Sequence, residues 1–172
     1  MKKAALVALV VVVIGFTFFW NNGNFRHEGI RRDHHEINWL SVALESYKDE
    51  HGTYPSDPLS TEQLKPKTSF DPGSYIKASQ FLYRALSGGE IQGADGKNAA
   101  ERRVYLEFPR QMLRAGEPGG TYIADPWGNS YGYSTFKSVH PESLDGYNPT
   151  FDLWTTAGGK REKDQARWTK NW

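Results

Sequence analysis

The chain has 172 residues, 21 Lys and Arg against 20 Asp and Glu, and no Cys. One domain's worth of chain remains once the apolar start is set aside, and the near-zero net charge argues against a general nucleic-acid binder. Without Cys there are no disulfides, no thiolate metal sites and no lipid-modified Cys anchor.

The first segment is Lys2 and Lys3 followed by an apolar run over 4–20. At about 1.5 Å per residue it spans roughly 26 Å as a helix, slightly short of a hydrocarbon core. Trp20 suits the lipid–water interface, and no small-x-small cleavage site follows. We read 1–24 as an uncleaved membrane anchor, with the two lysines holding the N-terminus cytoplasmic, and 25–172 as stem and head. Asn21-Asn22-Gly23-Asn24 is a polar break. Ile30, Ile37, Leu40, Leu44, Tyr47 and His51 then recur at helical steps, which predicts an amphipathic stem to Tyr54. Its charges, Arg26, Arg31 and Arg32 with Glu28, Asp33 and Glu36, read as a solvated or partner-facing surface. Gly52 supplies a left-handed C-cap, and Tyr54-Pro55 turns the chain away.

Residues 56–74 read as a surface loop with a helical turn near Thr61. A second helix is expected over 75–86, ended by Gly88-Gly89. Residues 90–100 read as a mobile loop. Val104, Leu106 and Phe108 alternate with Tyr105 and Glu107, which predicts a half-buried strand over 103–108. Residues 112–120 read as connection. Strands at 121–124 and 130–136 flank Asp125-Pro126-Trp127-Gly128, a turn with Pro and Gly where a hairpin favours them. Trp127 is expected to cover the hairpin and core. Residues 138–150 read as loop, 151–156 as a last strand, and 157–172 as a polar loop. Helix first and antiparallel strands last gives an α+β fold.

Three stretches resemble pilin-like proteins of bacterial secretion machinery, among them the major pseudopilins of type II secretion. They are 43–55, with Tyr47, Gly52, Tyr54 and Pro55; the turn Asp125-Pro126-Trp127-Gly128-Asn129; and 151–155, with Asp152 and Trp154. The resemblance implies a long N-terminal helix, its apolar half in the membrane and its outer half packed against a small antiparallel β-sheet head. It implies a structural, non-enzymatic subunit of a secretion filament. The subunit would span the inner membrane once through residues 4–20, with its head in the periplasm. Its partners would be other pilin-like subunits or secretion-platform proteins, and not nucleic acid. A monomeric periplasmic adaptor or binding module derived from such a subunit is the second reading.

The sequence departs from the family pattern twice. Gly15-Phe16-Thr17 has the letters of the family's processing site but lies at the end of the apolar run, where cleavage would discard most of the anchor. No Glu lies within that run. Related heads also bind calcium in the loop after the Asp-Leu-Trp strand. Here Gly158-Gly159-Lys160-Arg161 replaces the usual ligand stretch, and Asp164, with Glu162 nearby, is the candidate calcium ligand; Lys160, Arg161, Lys163 and Arg167 would repel a cation, and a charge pair or a cation–π contact with Trp168 or Trp172 is the alternative closure of the loop. No cofactor is otherwise expected. His27, His34 and His35 lack zinc spacing and read as solvated helix residues. Glu45 is expected to face solvent. No nucleophile elbow, Walker loop or zincin helix appears.

Overall fold

The computed structural model describes residues 28–89, 103–116 and 119–172, and shows an α+β fold. The anchor segment 4–20, His27 and the loop 90–100 lie outside the described residues. Among those described, no helix is long and apolar enough to cross a membrane. Helix α1 occupies 28–51. It ends where the sequence places its cap: Gly52 sits at φ 78° and its N–H donates to the Lys48 carbonyl at 2.7 Å. Ile37, Leu40, Ala43 and Leu44 are buried along one face. Each fully buried Leu contributes about 1.5–3 kcal/mol, so this face is a main source of docking energy.

Residues 56–74 carry more of the core than a surface loop would. Thr61, Leu64, Pro66 and Pro72 are buried. The region near Thr61 is a set of hydrogen-bonded turns rather than a helix, with the Ser60 and Glu62 N–H groups both donating to the Asp57 carbonyl. Asp71 caps a 3-10 turn, Pro72–Tyr75, that leads into α2, Ile76–Ser87. Gly88 ends α2 in the left-handed region, as Gly does at many helix ends.

The expected strand over 103–108 does not form. The N–H groups of Tyr105 and Leu106 both donate to the Leu86 carbonyl, at 2.8 and 3.1 Å, so the segment caps α2 instead of joining a ladder. Val104, expected inside, is 52% exposed, while Tyr105 packs against the core. In place of the expected connection, Leu113–Gly116 forms β1 and pairs antiparallel with β2, Gly120–Ile123. The second sheet has the order β3-β4-β5, where β3 is Gly132–Ser134, β4 Asp152–Thr155 and β5 Thr169–Lys170. All its pairings are antiparallel. The expected strand over 130–136 is shorter, because Phe136 opens a one-turn helix, α3, Phe136–Val139. The C-terminal region is likewise more than a polar loop, since it supplies a 3-10 helix, Glu162–Arg167, and β5.

Helix α2 packs on β2 and β3. Its buried Ser79 substitutes for a missing strand neighbour: Oγ accepts from Ile123 N and donates to Ile123 O, both at 3.0 Å. One core cluster joins Ile37, Leu40 and Leu44 of α1 to Phe81, Leu82 and Leu86 of α2 and to Tyr131, Tyr133 and Leu153. A second joins Leu64, Tyr75, Ala78, Trp154 and Trp168, with Phe70 and Trp172 at its edge.

Candidate functional site

Tyr47, Tyr54, Pro55 and Trp127 meet at the junction between stem and head, whereas Asp152 and Trp154 lie away from it, beside the loop before β4 and in the second core cluster. At the exit of α1, the Tyr54 hydroxyl donates to Glu45 Oε1 at 2.7 Å. Its ring lies against Phe151, with centroids 4.8 Å apart. Pro55 is buried and its carbonyl accepts from the Tyr133 hydroxyl at 2.7 Å, which pins the exit to β3. Tyr47 packs against Tyr105 and His51. Glu45 is exposed, as expected, and so are His34 and His35.

The Asp-Pro-Trp-Gly turn is held from within. Asp125 Oδ1 accepts from the N–H groups of Trp127 and Asn129 at 3.0 and 2.8 Å, and Oδ2 accepts from the Thr155 hydroxyl at 2.5 Å. Gly128 N donates to the Asp125 carbonyl at 2.9 Å. One aspartate therefore both shapes the turn and ties it to β4. The half-buried Trp127 ring lies over Gly29 of α1, where a Cβ would stand 2.7 Å from Cζ2. Only the absence of a side chain at residue 29 lets helix and ring meet this closely. Asp152 plays the same part as Asp125 in the loop before β4, accepting from the N–H groups of Tyr147 and Asn148 at 3.0 and 2.9 Å. Trp154 is fully buried in the second core cluster.

Between stem and turn lies a buried acidic cluster. Asp33 and Glu36 of α1, read from sequence as surface charges, are 0% and 4% exposed. The Tyr131 hydroxyl donates to Glu36 Oε2 at 2.7 Å and lies 3.4 Å from Asp33 Oδ1. Arg32 Nε donates to Glu36 Oε1 at 2.7 Å. Glu36 thus has a cation and a hydroxyl, and Asp125 has two N–H groups and a hydroxyl. Among the described residues, no donor reaches Asp33 Oδ2. A buried carboxylate without donors is costly, so the proton sits where it relieves the most. Burial, with the nearby charges of Asp125 and Glu36, pushes the Asp33 carboxyl up to about 8. Asp33 is then mostly a neutral acid at pH 7. Burial, followed by the carboxyl groups of Asp33 and Glu36, pushes the Tyr131 hydroxyl well up, so it remains a donor.

Sequence reading missed Asp33 and Glu36 because charge was taken to mean solvent. The signal was nevertheless there: the stripe 37, 40, 44 extends back by four to 33, and 36 lies four before 40.

The C-terminal loop has a different balance. Asp164 is buried; Oδ2 accepts from Lys160 N and from Arg161 Nε, both at 3.3 Å, and Oδ1 accepts from Arg167 Nη2. Desolvation pulls this carboxyl up, but the Arg161 and Lys160 hydrogen bonds and the two guanidinium charges outweigh it and hold it below the usual range. Among the described residues, no three His, Cys, Asp or Glu side chains converge as a metal site would require.

Chemically, this arrangement can hold a proton inside the stem–head junction and fix two polar turns to β4. A scan against protein-family models, and searches of curated proteins and of solved structures, return no match for this chain.

Proposed function

We propose that this chain is a structural, non-enzymatic, pilin-like subunit of a bacterial secretion apparatus, akin to the major pseudopilins of type II secretion. Residues 4–20 anchor it in the inner membrane and the head stands in the periplasm. Its partners are further pilin-like subunits or platform proteins. The observation that carries this reading is the division of labour along α1. Ile37, Leu40 and Leu44 are built into the head, while Trp39 and Val42, at 42% and 65% exposure, point away from it. The helix therefore serves as an inner wall of the head and still presents apolar side chains outward. An apolar run placed ahead of such a helix in the sequence can be surrounded by lipid or by neighbouring subunits. A subunit can exchange one for the other without exposing that surface to water.

The test is crosslinking in membranes. The chain has no Cys, so single cysteines at Leu9 or Val13 report only on the anchor. Packed anchors give dimers and, with a Cys at both positions, a ladder of multimers. Monomers alone at native expression would overturn the subunit reading and favour the adaptor.

A further inference from the structure

The connection between β4 and β5, residues 156–168, has a demanding task. It must bring Thr169 and Lys170 back to pair with Thr155 and Trp154, and lay Trp168 against Trp154, with ring centroids 6.2 Å apart and planes 9° from parallel. It contains few apolar side chains of its own. We infer that Arg161 and Arg167, both paired on the buried Asp164, are the fastening that closes this connection, and that the head folds without calcium.

The donor set leads to this conclusion. Calcium takes six to eight oxygens at about 2.3–2.6 Å. Asp164 is the one buried carboxylate of the connection, and both its oxygens are filled by guanidinium and backbone N–H donors. The loop's other carboxylate, Glu162, is exposed. Lys160 and Lys163 add positive charge to a place a cation would have to enter. The residues present do not fit a calcium ion, and they do fit a permanent cation supplied by the chain.

The geometry also makes the fastening cheap in desolvation. Asp164 is taken out of water, but the side chains of Arg161 and Arg167 stay 66% and 43% exposed, so the cations keep much of their hydration. Charge-assisted bonds to a buried carboxylate are stronger than neutral ones. Gly159 completes the fit: a Cβ there would stand 2.5 Å from that of Asp164. The carboxylate thus gathers Lys160, Arg161 and Arg167 into one closed turn, and the 3-10 helix delivers Trp168 to the core. This inference does not depend on whether the chain assembles with others.

The full chain in non-ionic detergent tests it. Melting is followed by tryptophan fluorescence in millimolar CaCl2, in MgCl2 at equal ionic strength, and in EDTA. A cation held at about a hundred times its dissociation constant stabilises by roughly 2.7 kcal/mol, a rise of about 5–10 °C for a chain of this size. The expected result is the same midpoint within about 1 °C in all three. A rise of 5 °C or so in calcium alone overturns the proposal. In the second arm, Arg161→Gln/Arg167→Gln should melt roughly 3–6 °C lower and be cut sooner by trypsin at Lys160 or Lys163. A double variant that melts and digests like the parent shows that the guanidinium pair is not the fastening, and equally overturns it.

Discussion

Replacing Asp33 by Asn should stabilise the protein, and by an amount that depends on pH. The usual value of the Asp carboxyl is 3.8, and in the folded chain it stands near 8. Below 3.8 both folded and unfolded chains carry the proton, and Asp33 costs nothing. Between 3.8 and about 8 only the unfolded chain releases it, so each pH unit removes roughly 1.4 kcal/mol of stability. Above about 8 both states are ionised and the loss is complete. At pH 7 this comes to about 4 kcal/mol as an upper figure. Local relaxation around a buried charge offsets part of this, so the expected gain for the Asn variant is about 2–4 kcal/mol. Asn matches the shape of the neutral acid and leaves no charge to bury. Urea unfolding of the full chain in detergent, followed by tryptophan fluorescence at pH 4.5, 7 and 8, measures the effect. The gain should be below 1.5 kcal/mol or so at pH 4.5 and grow steadily to pH 8. A variant less stable than the parent at pH 8, or a gain independent of pH, would show that burial does not keep the proton on Asp33.

Other substitutions probe the same junction. Tyr131→Phe removes the hydroxyl from Glu36 and should cost about 1–3 kcal/mol in urea unfolding. Combined with Asp33→Asn it should depart from additivity by roughly 0.5 kcal/mol or more, because both groups belong to one network. Gly29→Ala gains helix propensity but drives a Cβ into the Trp127 ring, which also lies beside Gly158. The clash should prevail, with a net loss of about 1 kcal/mol and a shift in tryptophan emission. Leu44→Ala, in the fully buried face of α1, should cost about 2–5 kcal/mol.

What the sequence made legible was whatever had a local cause. The face of α1 follows from helical spacing, its end from Gly52, and the turn at 125–128 from Asp, Pro and Gly in their favoured places. Elements with distant causes were harder to see. The alternation over 103–108 looks like a strand, yet its N–H groups are taken by the end of α2. Strand β5 is two residues long, and only pairing with β4 makes it a strand. Strand β1 did leave a trace, since Gly116-Glu117-Pro118-Gly119-Gly120 is a turn signal between two four-residue strands. Of the candidate site, the turn, Asp152 and Trp154 were legible as motif residues. The acidic cluster was not, because its buried carboxylates become tolerable only once Tyr131 from β3 side and Thr155 from β4 are brought beside them. Asp164 was singled out as a carboxylate in the loop, but its partners emerge only from the 3-10 turn that carries Arg161 and Arg167 to the same side.

Hydrogen exchange of the full chain in detergent most directly tests the claim that α1 is part of the head and not a tether to it. The amides of Leu40, Ala43 and Leu44 should exchange as slowly as those of Leu153 and Trp154 in the central strand β4, since all share the same cooperative opening. Exchange orders of magnitude faster in α1 than in β4 would mean that the head folds without the stem, and would contradict the docking on which the proposed role rests.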